Sequence, residues 1–432
     1  MKKLICLLLS AVLLVTAAAL PATANNDVDI DVSDIEGAQE MKTYSIADLA
    51  GKYKTQGRGS VENGVLMLNW SAASFEFNAH CTGDVAVEFN VKTNHADGCW
   101  FSVYINGEKQ PRETCYLQGT GTKNVTLAAN LPEGNYSFKV VKQNEAGYAT
   151  VGVKSIRLNG EFLAPPVQKQ LYLEFIGDSI TTGIGNLGTP EQGGNANSSK
   201  WQDATSGYAF LTANALNADY SLVAQMGIGA SVGYQSHIMS DLYPYTAKLN
   251  GNSAAYSFAR QPDVIVLGLG TNDFNTYQSK GLTLTQVQQG FAKTLQMVRE
   301  KNQNAKIVWI YNMMTGGLNE QIKTVIAQAG GAEEGYYSVQ LTRGKSGWNG
   351  HPSAAQHQVL ASELTAFLKS EVLAKTLGDA DGDGSVTLKD AYEVARFAAG
   401  QDSGLLICNA DAFADGRIDL KDAVEIVRKI LK

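Results

Sequence analysis

Five apolar runs, separated by helical segments, constrain the fold of this chain more than any other feature. The runs are Leu171–Ile176, Tyr220–Ala224, Val264–Leu269, Lys306–Tyr311 and Tyr337–Leu341. Runs of this kind are typical of strands buried on both faces, and stretches such as Leu284–Asn302 and Ala354–Lys375 between and after them are helical in character. The alternation predicts an α/β domain over residues 165–374, in which helices cover both faces of a parallel sheet.

The segment before this domain, residues 41–163, has a different pattern of apolar and polar residues. Short alternating stretches predict strands at Val65–Trp70, Val85–Phe89, Trp100–Ile105 and Tyr136–Val141. Gly-containing pairs predict turns between strands at Asn106-Gly107, Glu133-Gly134 and Asn159-Gly160. Many short strands with such turns favour a β-sandwich of jelly-roll type, which ends at a stiff Ala164-Pro165-Pro166 boundary.

The first 24 residues indicate export. Two lysines precede an apolar run from Leu4 to Leu20, and small residues follow up to Ala24. This pattern predicts a cleaved signal peptide, since the run is short for the alternative, a membrane anchor. No later stretch is long and apolar enough to span a bilayer. We therefore expect a secreted protein with no membrane partner, and the net charge of −7 gives no support to nucleic-acid binding.

Polar residues suited to acyl transfer follow the predicted strands of the α/β domain. Ser179 comes after the first strand, Gly229 after the second, Asn272 after the third and His351 after the fifth. The carboxyl ends of parallel strands share one edge, so these residues should meet there. A histidine can take the proton of a serine nucleophile. The Ser179 and Gly229 N–H groups and the Asn272 amide could then hold the oxyanion of the tetrahedral intermediate.

These motifs resemble a known group. Gly177-Asp178-Ser179, the glycine loop 227–229, Gly270-Thr271-Asn272-Asp273 and His351-Pro352 are similar to the four blocks of the SGNH hydrolases. The extended stretch from Glu174 to Thr181, with Gly185-Asn186 downstream, resembles carbohydrate esterase family 2. That resemblance implies a jelly-roll domain before the hydrolase and an extracellular acetyl esterase that acts on plant polysaccharides such as xylan or glucomannan. It implies no cofactor for catalysis.

One position departs from the superfamily pattern. An Asp usually precedes the histidine by two or three residues, whereas Trp348 and Asn349 stand here. A carboxylate at that place would orient the imidazole. The pattern therefore predicts a Ser179–His351 dyad in which a main-chain carbonyl, of Trp348 for example, or the Asn349 oxygen accepts the imidazole N–H. Trp348 is also a candidate platform for a sugar ring, with a packing role as its alternative.

Other residues compete for these roles. Ser231 lies in a G-x-S-x-G sequence like the nucleophile elbow of α/β-hydrolases, but choosing it leaves the other blocks unexplained. Of the five histidines, His351 has the position a catalytic base needs, and His357 is expected to be structural. We expect Asp178 and Asp273 to brace their loops rather than react.

The C-terminal segment, residues 376–432, contains two loops of EF-hand spacing. The first offers Asp379, Asp381, Asp383, Ser385 and Asp390 at positions 1, 3, 5, 7 and 12. The second offers Asp411, Asp415, Arg417 and Asp422, but Phe413 at position 3 cannot ligate, which predicts a weaker calcium site. Helices are expected at Ala391–Ala399 and Ala423–Leu431. This duplicated unit resembles a dockerin, which implies calcium-dependent folding and a cohesin domain of a scaffoldin as partner; a calcium-stabilised module without a partner is the alternative.

The sequence thus predicts a secreted, cellulosome-associated acetyl esterase. A lipase or thioesterase of the same fold, and an inactive carbohydrate-binding protein, remain the rival interpretations. Whether the β-sandwich binds sugar or shapes the cleft is open, as is a disulfide among Cys81, Cys99 and Cys115.

Overall fold

The computed structural model describes residues 41–94, 97–192, 198–373 and 376–431. The predicted signal peptide therefore lies outside the described residues. Along the described ranges, no helix has the length and apolar character needed to cross a bilayer. Cys81, Cys99 and Cys115 are free thiols, with no disulfide among them.

The N-terminal domain is an antiparallel β-structure, as its alternating pattern predicts. Its described strands are β1 (Lys42–Ser45), β2 (Tyr53–Gln56), β3 (Ser60–Glu62), β4 (Val65–Met67), β5 (Ser74–Thr93), β6 (Cys99–Ile105), β7 (Glu113–Leu117), β8 (Thr120–Lys142) and β9 (Ala149–Phe162). They are hydrogen-bonded in one continuous sheet whose main path is β3-β4-β9-β5-β8-β6-β7. Side chains of the long strands β5, β8 and β9 fill one apolar core, with Phe77, Phe138 and Ile156 among them.

Two of the three predicted turns are wrong. Asn106 and Gly107 both have positive φ and form the expected tight turn after β6. Glu133-Gly134, however, lies inside β8, and Asn159-Gly160 lies inside β9. The β5–β8 register shifts at Gly83, which is opposite Leu131, so extra residues are absorbed as bulges within continuous strands. A bulge bends a strand without ending it, and its glycine is easily mistaken for a turn.

The central domain is built on the predicted parallel sheet. Its strands are β10 (Tyr172–Gly177), β11 (Asp219–Ala224), β14 (Val264–Gly268), β15 (Lys306–Tyr311) and β16 (Tyr336–Gln340), in the order β11-β10-β14-β15-β16. A separate hairpin joins β12 (Tyr245–Ala247) to β13 (Asn252–Ala255). The helices are α1 (Tyr208–Ala215), α2 (Thr271–Thr276), α3 (Leu284–Lys301), α4 (Asn319–Gln328) and α5 (Ala354–Phe367).

Each face of the parallel sheet has its own apolar core. Phe175 of β10 points to the side on which α1 and α5 pack, and Leu360 is part of the same cluster. Ile176, the next residue, belongs to the opposite cluster, where α3 and α4 contribute Phe291 and Ile322. Successive strand residues point to opposite faces, so both must be apolar when both faces are covered.

The C-terminal segment contains α6 (Leu388–Ala398), α7 (Ile407–Ala410) and α8 (Leu420–Ile430). The two long helices begin three residues earlier than the sequence suggests, because the Thr387 and Asp419 side chains accept hydrogen bonds from the first turn and cap it. The segment contacts the central domain: Asn217 Nδ2 donates to the carbonyl of Leu405 at 3.0 Å, and Lys169 Nζ to that of Ser403 at 2.7 Å.

A buried arginine joins the N-terminal and central domains. Arg58 is fully buried and its guanidinium lies 3.1 Å from the Glu174 carboxylate on β10. The same guanidinium lies over the rings of Tyr243 and Tyr256, with centroid distances of 4.5 and 4.2 Å. Burying an unpaired carboxylate in a strand would be costly, so this contact ties the two domains together.

Candidate active site

The loops that carry the candidate residues leave the sheet at one level. Gly177, the last residue of β10, pairs with Ala224 of β11 on one side and with Gly268 of β14 on the other. A Cβ at Gly177 would lie 1.9 Å from Thr181 Oγ1, so the turn that follows requires glycine at this point. The three loops after these strands therefore start side by side, as expected for an open parallel sheet.

Ser179 and His351 are in direct contact. His351 Nε2 lies 2.8 Å from Ser179 Oγ, although the two residues are 172 positions apart in the chain. Ser179 is 5% exposed and His351 is 8% exposed. The pair thus has the geometry in which an imidazole can accept the hydroxyl proton.

The main-chain carbonyl of Asn349 orients the imidazole. His351 Nδ1 lies 3.2 Å from this oxygen, which can only accept, so the proton sits on Nδ1 and leaves Nε2 free to face Ser179. The Trp348 carbonyl accepts the backbone N–H of His351 at 3.2 Å. Burial lowers the pKa of His351, so the neutral imidazole that a base requires is favoured.

Asn272 is buried between the other two loops. Its Nδ2 donates to the carbonyl of Ile228 at 2.8 Å and to Asp178 Oδ2 at 3.3 Å. Asp178 also accepts the backbone N–H of Ile180 at 2.9 Å, which braces the nucleophile turn as expected. Burial raises the pKa of Asp178 to about 7. The structure brings Asn272 to the site, and its service as an oxyanion donor stays a prediction.

Asp273 organises the glycine loop. Its carboxylate accepts the consecutive N–H groups of Ala230, Ser231 and Val232 at 3.1, 2.6 and 3.0 Å. Burial raises the pKa of Asp273 to about 6 against the lowering effect of these hydrogen bonds. A Cβ at Gly229 would lie 1.7 Å from the Val232 carbonyl oxygen, so the turn requires glycine. Asp273 thus braces the loop of Gly229, whereas we expected it to support the loop of Asn272.

Trp348 precedes His351 by three residues and is 9% exposed. Its backbone N–H donates to the carbonyl of Gly185 at 2.8 Å. Gly185 has a φ of +78°, and a Cβ there would lie 2.3 Å from the Trp348 carbonyl oxygen. The loop that carries His351 therefore packs closely against the segment that follows Ser179. The role of Trp348 as a platform for a sugar ring stays a prediction.

Ser231 and His357, the alternative candidates for nucleophile and base, have structural contacts. Ser231 packs its hydroxyl against Gly290 of α3, where a Cβ would lie 2.2 Å from Ser231 Oγ. His357 is fully buried and its Nδ1 accepts the backbone N–H of Tyr208 at 3.1 Å. Burial lowers the pKa of His357 to about 3, so it stays neutral, as a structural histidine would.

Two family models match this architecture. Residues 173–364 match the model described as GDSL-like Lipase/Acylhydrolase, and residues 55–166 match the model described as Carbohydrate esterase 2 N-terminal. Each model covers one of the first two domains, and neither match reaches half of the chain. The match to a lipase/acylhydrolase model agrees with a serine–histidine pair at the sheet edge.

Two proteins that are similar to this chain are named as esterases. It is 28% identical over 319 residues to the cellulase/esterase CelE of Acetivibrio thermocellus, covering 70% of this chain and 37% of that relative. It is 30% identical over 225 residues to an acetylxylan esterase / glucomannan deacetylase of Cellvibrio japonicus, covering 48% and 61%. The chain therefore spans less than two thirds of either relative.

A solved structure shares the fold of the first two domains. The acetyl xylan esterase from the rumen bacterium Butyrivibrio proteoclasticus superposes with a TM-score of 0.69 at 25% identity, covering 76% of this chain and 98% of that one. Neither family model extends into residues 376–432.

The first C-terminal loop has the donors of a cation site. Ligand oxygens of Asp379, Asp381 and Asp383 lie within 4.8 Å of one another. Asp379 Oδ1 is buried and has no hydrogen-bond partner. Clustered carboxylate oxygens suit calcium, so these residues fit the expected ion. The Asp390 carboxylate accepts the N–H groups of Asp381 and Thr387 at 2.9 and 2.7 Å, which closes the loop.

The second loop repeats this backbone arrangement without a carboxylate at position 3. Asp422 accepts the N–H groups of Phe413 and Asp419 at 2.9 and 2.8 Å, as Asp390 does at the corresponding positions. Asp411 accepts from Asp415 and Gly416 at 3.1 and 3.0 Å. Phe413 is 49% exposed and supplies no ligand side chain, so the weaker second site remains the expectation.

The sequence interpretation missed the contribution of the N-terminal domain. Glu145, in the connection after β8, accepts the backbone N–H of Met226 at 2.7 Å, directly before the glycine loop. Nothing in the local pattern marks Glu145, because a glutamate between two strands is usually solvent-exposed.

Proposed function

We propose that this chain is an acetyl esterase that removes O-acetyl groups from plant cell-wall polysaccharides. The observation that carries the proposal is the 2.8 Å contact between Ser179 Oγ and His351 Nε2. The names of the relatives, an acetylxylan esterase / glucomannan deacetylase and an acetyl xylan esterase, support acetylated xylan and glucomannan as substrates.

In the first step, Ser179 Oγ attacks the acetyl carbonyl carbon while its proton moves to His351 Nε2. The carbon–oxygen π electrons go to the oxyanion, which the Ser179 and Gly229 N–H groups and the Asn272 amide are proposed to hold. Collapse of this intermediate breaks the bond to the sugar oxygen. His351 returns the proton to that oxygen, so the free sugar hydroxyl leaves and acetyl-Ser179 remains.

In the second step, water replaces the sugar. His351 Nε2 takes a proton from the water as its oxygen attacks the acetyl-enzyme carbonyl, and the collapse of this second intermediate releases acetic acid. The proton on Nε2 passes to Ser179 Oγ, which restores the starting state. Throughout both steps, the Asn349 carbonyl holds the Nδ1 proton and stabilises the imidazolium.

The test is acetate release from acetylated xylan and acetylated glucomannan, with long-chain esters measured in parallel. We expect turnover of the acetylated polysaccharides and a loss of about 10⁴-fold or more in Ser179→Ala. Ser231→Ala is the matched control, since its hydroxyl faces Gly290. Unchanged deacetylation in Ser179→Ala would contradict the mechanism, and a preference for long-chain esters would favour a lipase.

The C-terminal segment is proposed to be a dockerin. Leu388 and Tyr392 of α6 are 64% and 61% exposed, and Leu420 and Val424 at the corresponding positions of α8 are 63% and 49% exposed. Large apolar side chains in repeated exposed positions are suited to a protein partner. Secretion, proposed from the predicted signal peptide, would bring the segment to a cohesin of a scaffoldin outside the cell.

Calcium is proposed to be held by side chains of Asp379, Asp381, Asp383 and Asp390 and the Ser385 carbonyl in the first loop, and in the second by Asp411, Asp415, Asp422 and the Arg417 carbonyl. When bound, the ion would tie each loop to the helix after it. Titration of the intact protein with a recombinant cohesin tests this proposal. Binding that requires calcium and is lost on chelation is expected, and absence of binding with calcium present would leave a module without this partner.

A further inference from the structure

The loop between β8 and β9 places polar side chains where the N-terminal domain meets the site. Gln143, Asn144 and Glu145 are all buried, at 5%, 0% and 5% exposed. Asn144 Nδ2 donates to the carbonyl of Ser199 at 2.7 Å, which belongs to the central domain. Polar side chains buried to this extent need partners, and those of Asn144 and Glu145 include groups across the domain boundary.

The Glu145 side chain holds the start of the glycine loop. Its Oε2 accepts the Met226 N–H at 2.7 Å, and Met226 is followed directly by Gly227, Ile228 and Gly229. From the central domain, the Gln235 amide donates to the Met226 carbonyl at 2.8 Å. Glu145 thus gives the N-terminal domain a direct hydrogen bond to the start of this loop.

The Glu145 backbone reaches the nucleophile turn through one intermediary. Its N–H donates to Gln202 Oε1 at 3.2 Å, and Gln202 Nε2 donates to the Thr182 carbonyl at 3.2 Å. The Thr182 hydroxyl in turn donates to the carbonyl of Ser179 at 3.0 Å. One residue therefore links the loop of the nucleophile to the loop of the predicted oxyanion donor.

A carboxylate at this place is electrostatically unfavourable for the fold. Burial raises the pKa of Glu145 to about 7, while the Met226 N–H and the Lys142 ammonium oppose the rise. Lys142 lies at the end of β8, and its Nζ donates to the carbonyls of Ala149 and Asn69 at 2.9 and 3.3 Å rather than to Glu145. A neutral side chain would fill this interface at a lower desolvation cost. We therefore attribute the glutamate to its hydrogen bond with the glycine loop.

We propose that Glu145 is a positioning residue of the esterase, through which the N-terminal domain fixes the glycine loop relative to Ser179. The inference rests on the proposed function. Under this proposal, the N-terminal domain contributes to catalysis by positioning the glycine loop, whether or not that domain also binds sugar. Because oxyanion donors act through their placement, a small displacement of the loop lowers kcat more than substrate binding.

The experiment measures kcat and KM for p-nitrophenyl acetate in the intact protein. In Glu145→Ala we expect kcat to fall by about tenfold to a hundredfold while KM changes by less than about threefold. Glu145→Gln keeps the length and an acceptor oxygen, so kcat should return to within about fivefold of the parent. Glu145→Asp keeps the charge but is one methylene too short, and kcat should fall again.

Gln143→Ala is the matched control. It lies in the same loop with the same exposure, but its Nε2 donates to Ser102 Oγ within the N-terminal domain at 2.8 Å. Thermal unfolding of each variant separates loss of fold from loss of kcat, and Glu145→Gln against Glu145→Asp decides the question if Glu145→Ala does not fold.

The outcomes separate the two proposals. An inactive parent protein would refute the proposed function and leave the positioning role without a reaction to serve. An active parent with an unchanged kcat in folded Glu145→Ala, an equal loss in Gln143→Ala, or no recovery in Glu145→Gln relative to Glu145→Asp would each overturn the positioning role while leaving the esterase intact.

Discussion

The orientation of His351 by a main-chain carbonyl can be tested at Asn349. This residue has a φ of 54° and a ψ of 32°, in the left-handed region, and its side chain is exposed. Left-handed backbone costs about 1–2 kcal/mol for most residues but little for glycine or asparagine. Asn349→Gly therefore keeps the backbone conformation and the carbonyl, and removes only the side chain.

We expect Asn349→Gly to keep kcat for p-nitrophenyl acetate within about threefold of the parent. Asn349→Ala pushes the backbone out of the left-handed region, which should destabilise the fold by about 1–2 kcal/mol and move the carbonyl away from Nδ1. Its kcat should fall by about tenfold or more. Steady-state kinetics with thermal unfolding as control measures both effects.

One result would refute this reasoning. If the side-chain oxygen of Asn349 orients the imidazole, Asn349→Gly removes the acceptor and leaves the tautomer unfixed. Loss of the orienting group costs about 10⁴-fold in a serine protease, so a comparable loss in Asn349→Gly would exclude the carbonyl as the acceptor.

Three further predictions concern pH, stability and calcium. Because burial lowers the pKa of His351 and the base must be neutral, kcat/KM should lose half its value on the acid side at a pH below 6.5, and a midpoint above 6.5 in the pH–rate profile would contradict this. Arg58→Met leaves the Glu174 carboxylate buried without its cation and should lower the free energy of unfolding by about 3–5 kcal/mol in urea, with part of the loss recovered on adding Glu174→Gln. Calcium should raise the thermal stability of the C-terminal segment, and Asp379→Ala should weaken calcium binding in calorimetry more than Asp411→Ala, since the first loop holds three clustered carboxylates; equal losses would count against the ranking of the two loops.

Local pattern was sufficient for the parallel sheet and for the principal pair of the site. Strands buried on both faces must be apolar throughout, so β10 and β14 stand out in the sequence, and the residues that follow them are at the carboxyl edge whatever the details of packing. Ser179 and His351 could therefore be paired before any coordinates were known. The duplicated spacing of acidic residues likewise marked both C-terminal loops.

The tertiary structure decided what depends on contacts between distant segments. Glu133-Gly134 looks like a turn locally, but pairing with β5 makes it part of a strand. The acceptor for His351 follows from a backbone angle at Asn349 that no side-chain pattern encodes. Arg58 and Glu145 lie in connections of the N-terminal domain, where charged residues normally face water, and only the packing of the two domains buries them against their partners. Hydrophobic periodicity indicates which face of a segment is buried. It does not indicate contacts between segments that are distant in sequence, because these form only when the whole chain folds.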